Sequence, residues 1–321
     1  MAEIDKYINQ IICGDALETL KLLPDSSIDE VVTSPPYWGL RDYQVDGQLG
    51  LEQTFDEYIF KLCNIFDEVK RVLKPTGTLF VNLGDTYNNA IVKVGRKDKE
   101  YCGGISPLHS LRAGTTKLQP KNLCLIPFRF AIEMQNRGWI IRNVIIWHKP
   151  NAMPQSIKDR FTVDFEYIFF FVKSKRYYFE QQFEPSIDPE SINGRRRRNP
   201  NKRAGVKNIG NALDRYPERY TGKVYLYKNK RSVWSITTKP FDDVHFATYP
   251  EDLVKPMILA GCPENGIVLD PFGGAMTTAV VAKKLNRNWI MIEINPEYIE
   301  IGKKRLSQIP DTLFTIPSQE E

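Results

Sequence analysis

A hydroxyl group, two prolines and two aromatic side chains follow a short apolar run near the start of the chain, as Ser34, Pro35, Pro36, Tyr37 and Trp38. Prolines restrict the backbone, so the Pro35 carbonyl is held in one direction close to the Ser34 hydroxyl. Tyr37 offers a flat stacking face, and Trp38 offers a second. The segment predicts a rigid notch that holds a planar base and accepts hydrogen bonds from its amino group.

Such a notch suits the activation of an exocyclic amine. The amine nitrogen of cytosine or adenine is a poor nucleophile because its lone pair is delocalised into the ring. An acceptor such as the Ser34 hydroxyl can turn that lone pair toward a cationic methyl donor, and no metal or strong base is then needed. The chain has 3 histidines and no metal-ligand cluster, in agreement with this chemistry. The simpler interpretation is a double-proline turn that ends a strand, with Tyr37 and Trp38 in the core.

A second strand-end loop lies far downstream. The apolar run Ile267–Asp270 is followed by Phe272, two glycines and a helical pattern, and glycine lets a backbone approach a ligand closely. Glu293 ends the next strand-like run, where an acidic residue suits the hydroxyl groups of a ribose. The GxGxxG spacing is missing, and Phe272 suits an adenine face or a sulfonium cation, which favours S-adenosylmethionine over NAD. The alternative is an ordinary strand–helix turn with a solvated Glu293.

Strand-like runs alternate with helical patterns along the chain. They predict an α/β fold class: a Rossmann-like, doubly wound, mostly parallel seven-stranded sheet with an antiparallel edge hairpin. The runs are Ile8–Cys13, Glu30–Thr33, Thr78–Leu83, Ile140–Trp147, Glu166–Val172, Ile267–Asp270 and Trp289–Ile294. Helices are expected at 55–72, 276–285 and 296–306. The two loops would face each other if their strands are neighbours, because carboxyl ends of parallel strands share one edge.

A basic segment interrupts the α/β pattern. Between Ile192 and Lys239 there are 14 lysines and arginines against 2 acidic residues, although the whole chain has a net charge of only +5. Such a surface suits contacts with phosphates, and a solvated charge run is the alternative. We predict three parts of the chain: residues 1–184 with the notch, a basic insert at 185–240, and residues 241–321 with the second strand-end loop.

Composition indicates a soluble globular protein of a reducing compartment. Hydrophobic residues make up 42% of the chain and charged residues 26%, which are ordinary values for such proteins. The 5 cysteines form no CxxC pair, the N-terminus lacks the layout of a signal peptide, and the apolar run 167–172 is too short to span a bilayer. We expect a cytoplasmic protein without a membrane partner or a bound metal.

Several short motifs, taken in order, resemble those of the β-class amino-group DNA methyltransferases. That family places Ser-Pro-Pro-Tyr toward the N-terminus, Asp-Pro-Phe-x-Gly toward the C-terminus and a target-recognition region between them, which is the order here. Further family-like segments extend the resemblance over most of the chain, namely Gly14-Asp15, Arg71–Gly77, Trp147–Asn151, Asp159-Arg160 and His245–Pro250. The resemblance implies S-adenosylmethionine as cofactor and duplex DNA as partner, and it leaves open whether a cognate restriction endonuclease acts on the same site. It also implies that residues 1–184 are the catalytic part of a methyltransferase domain, 185–240 a target-recognition insert and 241–321 the cofactor-binding part.

The resemblance also implies roles for individual residues. Ser34, Pro35, Pro36 and Tyr37 would form the catalytic notch. Asp15 would bind the adenine amino group of the cofactor, Glu293 its ribose, and Phe246–Thr248 would shape its methionine end. The full cofactor-binding set would be Asp15, Phe246, Ala247, Thr248, Asp270, Phe272, Gly274, Thr277, Thr278 and Glu293. The DNA-binding set in the insert would be Arg195, Arg196, Arg197, Arg198, Lys202 and Arg203.

The target base and one departure from the family each leave two interpretations open. Ser34, where adenine enzymes usually carry Asp or Asn, points to N4 of cytosine, with N6 of adenine as the alternative. The chain has no Pro-Cys pair to attack C5 of cytosine. Met276 stands where the family often has a second glycine, so it would either crowd the cofactor or pack under the loop. The same motifs also suit an inactive DNA-binding protein, or an RNA or protein amide methyltransferase, and either a monomer or a homodimer.

Overall fold

The computed structural model describes residues 3–40, 42–43, 45–88, 118–185, 227–238 and 249–310. The chain divides into two compact units, one of Met1–Glu180 with Ser232–Glu321 and the other of Gln181–Arg231. Two predicted sets lie outside the described residues, Phe246–Thr248 of the cofactor site and the basic set Arg195, Arg196, Arg197, Arg198, Lys202 and Arg203. Their roles stay predictions.

The described residues contain ten strands. They are β1 (Gln10–Cys13), β2 (Ile28–Thr33), β3 (Leu73–Leu83), β4 (Ile140–His148), β5 (Phe165–Val172), β6 (Phe183–Pro185), β7 (Tyr227–Asn229), β8 (Val233–Ser235), β9 (Ile267–Asp270) and β10 (Asn288–Glu293). Eight of them form one sheet in the larger unit, in the order β1-β10-β9-β2-β3-β5-β4-β8. Within it β5 runs antiparallel to both of its neighbours, and the other pairings are parallel.

The predicted α/β class and mostly parallel sheet are confirmed, with one strand more than the seven expected. β8 pairs with the end of β4, from Ile146↔Val233 to His148↔Ser235. The antiparallel hairpin of β4 and β5 is therefore not at the edge of the sheet, because β8 covers it. Three residues are too few for periodicity to reveal a strand, and β8 lies inside the segment 185–240 that the composition predicts as an insert.

Helices cover both faces of the sheet. In the described residues they are α1 (Ala16–Leu20), α2 (Phe55–Val72), α3 (Ile126–Asn136), α4 (Glu251–Gly261), α5 (Thr277–Lys284) and α6 (Pro296–Ser307). Alternate residues of a strand point to opposite faces, so Val31 packs in the core with α1–α3 and Val32 in the core with α4–α6. The doubly wound arrangement is thus confirmed. None of the described helices is long and apolar enough to cross a membrane.

The strand order reverses between β2 and β9. β2 leads through α2 to β3 on one side, and β9 leads through α5 to β10 on the other. The two strands pair in parallel, with Glu30 opposite Val268 and Val31 opposite Leu269. Open α/β sheets bind ligands beyond the carboxyl ends of the strands at such a reversal. The condition that brings the two predicted loops together is therefore met.

The smaller unit is described only near its two ends. There β6 and β7 form an antiparallel pair, from Phe183↔Asn229 to Pro185↔Tyr227. Glu184 accepts a hydrogen bond from Arg231 Nε at 2.6 Å and lies 3.4 Å from Lys228 Nζ. Strand pairing and ion pairs thus join the two described ends of this unit to each other.

An unpartnered acid lies in the middle of β2. The Glu30 carboxyl group is fully buried, and neither of its oxygens has a hydrogen-bond partner among the described residues. It lies against Gly261, where an added Cβ atom would come within 2.2 Å of Glu30 Oε1. Burial raises the pKa of Glu30 well above its ordinary value of 4.5, and the nearby charge of Arg287 only opposes that shift.

We expect Glu30→Gln to stabilise the protein increasingly as the pH rises above 4.5. Above that pH the unfolded chain releases the Glu30 proton while the folded protein retains it, so wild-type stability falls as the pH rises through this window. Glutamine has nearly the same shape and does not titrate. The difference in free energy of unfolding should grow by up to on the order of 1 kcal/mol per pH unit. Urea denaturation of both proteins between about pH 5 and about pH 8 measures it, and parallel pH profiles would contradict the burial of a neutral acid.

Candidate active site

The double-proline loop follows β2 directly, and a hydrogen bond from α2 holds it in place. Pro35 is buried, while Ser34, Pro36 and Tyr37 are half-buried at the carboxyl edge of the sheet. The buried Tyr58 of α2 donates a hydrogen bond from its hydroxyl to the Pro36 carbonyl at 2.9 Å. This bond adds to the restriction that the prolines impose. The loop is therefore a fixed part of the fold, as its sequence predicts.

The hydroxyl of Tyr37 belongs to a polar network that links three strands. Tyr37 Oη donates to Glu166 Oε2 at 2.7 Å. Asn82 Nδ2, from β3, lies 2.8 Å from both of those oxygens and donates to them. Burial, and then the negative charge of Glu166, raise the pKa of Tyr37 well above its usual value. Tyr37 is therefore a neutral donor whose ring is locked in place.

The Ser34 hydroxyl is only weakly engaged by this network. Its Oγ lies 3.5 Å from Tyr37 Oη and 3.4 Å from Asn82 Nδ2, both longer than ordinary hydrogen bonds between such groups. A half-buried hydroxyl with long contacts keeps the capacity to accept a hydrogen bond from another molecule. The geometry of Ser34 thus suits an acceptor for an amino group in the crevice.

Lys149 balances the charge of this network. Its Nζ forms an ion pair with Glu166 Oε1 and lies 4.3 Å from the centre of the Trp147 ring. Both charged side chains are mostly buried, and a buried carboxylate without a partner would cost several kcal/mol, roughly 3–5. The pair therefore lets Glu166 remain as an acceptor for Tyr37 and Asn82.

Asp270, at the end of β9, is a buried acceptor for four donors. Oδ1 accepts from Thr33 Oγ1 at 2.6 Å and from the Phe272 N–H at 3.0 Å. Oδ2 accepts from Thr278 Oγ1 at 2.7 Å and from the Tyr249 hydroxyl at 2.9 Å. Burial raises the pKa of Asp270, and these four hydrogen bonds oppose the shift. The predicted site residues Asp270 and Thr278 are thus fully buried, where they hold the loop rather than face the crevice.

Glu293 ties the end of β10 to the glycine loop. Its Oε2 accepts from the Gly274 N–H at 2.7 Å, and its Oε1 accepts from the Asn295 N–H at 2.8 Å. Burial raises the pKa of Glu293, while these backbone hydrogen bonds lower it. Gly274 has φ +50°, and a Cβ there would meet nothing closer than 4.0 Å. The loop therefore has an open side next to an acidic residue.

Asp15 lies on the neighbouring strand end. It follows β1, in which Cys13 is paired with Glu293, and the Gly14 N–H donates to the Glu293 carbonyl at 3.0 Å. Asp15 Oδ1 caps α1 by accepting from the Glu18 N–H at 3.0 Å. Two acidic side chains and the glycine loop thus border the same part of the crevice, on the side of β9 away from Ser34.

Met276 packs beneath the glycine loop, which decides between its two predicted positions. Its side chain is fully buried, and a Cβ added to Gly302 of α6 would lie 2.1 Å from its Cγ. Its backbone has φ +61°, the left-handed conformation that glycine adopts most easily. The absence of a side chain at Gly302 therefore makes room for Met276 under the loop, and Met276 does not crowd the crevice.

Trp38 is a core residue and provides no second stacking face. It is buried, its Nε1 donates to the Glu52 carbonyl at 3.0 Å, and its ring lies edge-to-face with Phe55 at 5.9 Å. Tyr37 packs closely on Gly84, where an added Cβ would lie 2.6 Å from its ring. The prediction of two stacking aromatics is thus wrong for Trp38, because an indole following a double-proline turn can also anchor the turn in the core.

Sequence reasoning did not single out Asn82, Lys149, Glu166 or Tyr249 for the site. Each lies within or next to a segment with a strand-like pattern or a family-like motif, but the polar residue in it carries no signal of its own. Their importance comes from contacts between strands far apart in the chain, such as Tyr37 with Glu166. Only the strand order reveals these contacts.

The fold and the site together define a class of protein: an α/β fold with a double-proline loop and a glycine loop on neighbouring strands at the switch point of the sheet. Comparison with known proteins then identifies the family. The family model N6_N4_Mtase, which describes DNA methylases, matches residues 28–304 of this chain. Type II methyltransferase M.Cfr9I of Citrobacter freundii is 39% identical over 296 residues, covering 91% of this chain and 86% of that protein. Type II methyltransferase M.SmaI of Serratia marcescens is 39% identical over 300 residues, covering 92% and 90%. The chain belongs to the DNA methylase family, as the resemblance predicted.

Two solved structures share the fold. PvuII DNA methyltransferase (cytosine-N4-specific) aligns with a TM-score of 0.60 at 20% identity, covering 95% of this chain and 87% of that chain. The M1.HpyAVI–SAM complex aligns with a TM-score of 0.54 at 20% identity, covering 92% and 98%. At this level of identity the likeness concerns the fold, and it agrees with the sheet described above.

We expect Glu166→Gln to lower the rate of DNA methylation by about tenfold to a hundredfold while leaving cofactor affinity unchanged. Glutamine keeps the shape but loses the ion pair with Lys149, so Tyr37 and Asn82 lose their charged acceptor and Ser34 loses fixed neighbours. Incorporation of a labelled methyl group into unmethylated plasmid DNA measures the rate, and calorimetry measures the affinity. Glu264→Gln is the matched control, because Glu264 is exposed and precedes β9, at the edge of the sheet opposite the site. Equal rates for both variants would remove Glu166 from the site.

Proposed function

We propose that this protein transfers the methyl group of S-adenosylmethionine to N4 of a cytosine within a specific sequence of duplex DNA. The observation that carries the proposal is the Ser34–Tyr37 notch, which lies at the switch point on the strand next to the Asp270–Gly274 loop. An amine held in the notch and a methyl donor held by the loop would face each other across one crevice. Membership of the DNA methylase family supplies the reaction class.

The described residues fit S-adenosylmethionine. Glu293 and Asp15 are acidic residues at neighbouring strand ends, suited to the ribose hydroxyls and the adenine amino group. The open side of Gly274 lets the cofactor approach the backbone. When bound, the cofactor supplies an electrophilic methyl group on a sulfonium centre. One structural neighbour, M1.HpyAVI, was solved with this cofactor, and that supports the same assignment here.

The notch residues act on the amine. Ser34 Oγ and the Pro35 carbonyl would accept hydrogen bonds from the two N–H groups of the amine. These hydrogen bonds would turn the nitrogen lone pair out of the ring plane and toward the methyl donor. Tyr37 stays neutral, because burial and Glu166 raise its pKa, and its hydroxyl lies 3.5 Å from Ser34 Oγ. Methylation leaves the nitrogen positively charged, so one N–H proton must leave. The proton would leave by a relay: Ser34 Oγ takes it and passes its own proton to Tyr37 Oη, and Tyr37 passes its own to Glu166 Oε2, which is 2.7 Å away.

Cytosine N4 is favoured over the other target atoms by the chemistry of the notch. Ser34 stands where adenine enzymes usually carry Asp or Asn, and the structural neighbour PvuII methyltransferase is cytosine-N4-specific. Attack on C5 needs a thiolate presented by a Pro-Cys pair, and the sequence contains no such pair. Burial also raises the pKa of Cys63 to about 12 and that of Cys124 to about 11. Met276 packs below the loop, so it no longer supports the alternative of an inactive DNA-binding protein.

Recognition of DNA is assigned to the basic segment, as predicted from its composition. We propose that Arg195–Arg198 follow the phosphate backbone and that Lys202 and Arg203 contact base edges. The segment 185–240 would then be the target-recognition insert, apart from β8. The relatives M.Cfr9I and M.SmaI are type II methyltransferases, and this supports a cytoplasmic role in which a restriction endonuclease reads the same sequence.

We expect the purified protein to form N4-methylcytosine when it is incubated with S-adenosylmethionine and unmethylated duplex DNA. Digestion to nucleosides followed by mass spectrometry identifies the product. Ser34→Ala removes one acceptor for the amine and should lower the yield per unit time by on the order of tenfold to a thousandfold, with cofactor binding nearly intact.

Each different product would point to a different function. N6-methyladenine would keep the mechanism and overturn the assignment of the base. Methylation of RNA but not of DNA would move the substrate to another class. Verified cofactor binding without any methylated base would contradict the proposed activity, and an unchanged rate in Ser34→Ala would contradict the role of the notch.

A further inference from the structure

The loop between β4 and β5, residues 149–164, lies on the same edge of the sheet as the proposed active site. β4 runs in the same direction as β3, and β5 returns antiparallel. The β4–β5 loop therefore projects from the carboxyl edge, where Ser34 also lies. Glu166, the second residue of β5, bonds directly to Tyr37. The loop thus borders the crevice into which a target base would enter.

This loop exposes apolar side chains. Phe161 is 96% exposed and Met153 is 84% exposed, and Ile157 and Val163 are each 37% exposed. A single exposed apolar residue is ordinary on a protein surface, but four in one loop beside an active site indicate a surface that another molecule covers. Covering a phenylalanine side chain contributes roughly 1.5–3 kcal/mol, so Phe161 gains most from such a contact.

The exposed side chains are presented by a braced backbone. The Lys149 N–H donates to the Asp164 carbonyl at 2.7 Å and closes the base of the loop. Asn151 Nδ2 donates to the Thr238 carbonyl at 2.8 Å, and Lys121 Nζ forms an ion pair with Asp159 Oδ2 at 2.7 Å. These contacts anchor both arms of the loop. Phe161 is therefore exposed on a supported loop, which keeps the ordering cost of a contact low.

Two cationic residues precede Phe161 in the loop. Arg160 stacks on the Tyr87 ring at 3.9 Å, with its Nη1 donating to the Phe161 carbonyl at 3.2 Å, and Lys158 is exposed. An apolar tip next to two cationic residues matches a duplex, whose stacked bases are apolar and whose backbone is anionic. A protein partner would find the same apolar surface, but the position beside the notch and the family favour DNA.

We propose that Phe161 enters the base stack of duplex DNA at the place that the target base leaves. Extrusion of a base opens a gap, and an apolar side chain that fills the gap recovers part of the lost stacking. Phe161 is 5 positions before Glu166, so their Cα atoms are at most about 18 Å apart. Because Glu166 contacts Tyr37 of the notch, a side chain in the gap and a base in the notch can belong to the same stretch of duplex. The inference rests on the proposed function, because it needs DNA as the substrate.

The test compares two duplexes that carry the sequence the protein methylates, as mapped on plasmid DNA. One duplex is fully paired, and the other has the base opposite the target removed. Phe161→Ala should lower the methylation rate on the paired duplex by about tenfold to a hundredfold. On the duplex with the missing base the variant should lie within about threefold of wild type, because the unpaired target base leaves the stack at lower cost. Phe161→Leu should retain most of the wild-type rate on both duplexes.

Phe60→Ala is the matched control, since Phe60 is a 60% exposed phenylalanine on α2 and has no part in the site. Equal rates of Phe161→Ala and wild type on the paired duplex would overturn the inference. An equal loss on both duplexes would also overturn it, since that result indicates a general DNA contact or a damaged fold. A wild-type protein that methylates neither duplex would instead refute the proposed function, and the inference with it.

Discussion

The buried carboxyl group of Asp270 is the interaction on which the active-site crevice depends. The backbone pairing of β2 with β9 consists of Glu30 with Val268 and Val31 with Leu269, and it stops short of the carboxyl ends of both strands. Beyond the last backbone pair, the Thr33 hydroxyl bonds to Asp270 at 2.6 Å and replaces the strand pairing. The same carboxyl group holds Thr278 at the start of α5. The Asp270 carboxyl group therefore keeps the notch at a fixed distance from the glycine loop, although the backbone pairing has ended there and leaves room for a crevice.

Two polar clusters hold the notch from opposite sides, and they do so by different means. The Asp270 cluster uses neutral donors around one acid, and burial raises the pKa of that acid. The Glu166 cluster keeps its acid beside Lys149, so it places a balanced pair of charges next to the notch. Ser34 lies between the clusters with long contacts to Tyr37 and Asn82. This arrangement fits catalysis by orientation, in which the surrounding groups are fixed and the acceptor itself remains available.

The sequence was sufficient to predict the fold class and the family, because strands with strong apolar runs and ordered motifs depend on local patterns. It was not sufficient for features that depend on strand order. β8 has three residues and was missed, and Glu166 and Asn82 reach Tyr37 only because β5 lies beside β3. The position of Met276 depends on the missing side chain of Gly302, which lies on α6 and is separated from Met276 in the chain by α5 and β10. Trp38 shows a different limit of the sequence: a tryptophan after a double-proline turn suits a stacking face and the core equally well, so its residue type does not decide its place. The roles assigned to Asp15, Glu293 and the basic residues stay predictions.

The measurement that tests this account most directly is the single-turnover rate of Thr33→Val. Valine has nearly the same shape as threonine but cannot donate to Asp270, so the two strand ends lose their only described side-chain hydrogen bond to each other. If that bond sets the distance between donor and acceptor, methyl transfer should slow by about tenfold or more while cofactor affinity stays within about twofold of wild type. A wild-type rate of methyl transfer in Thr33→Val would contradict the account, since the backbone pairing and the contacts of Asp29 and Thr278 would then hold the crevice without this bond.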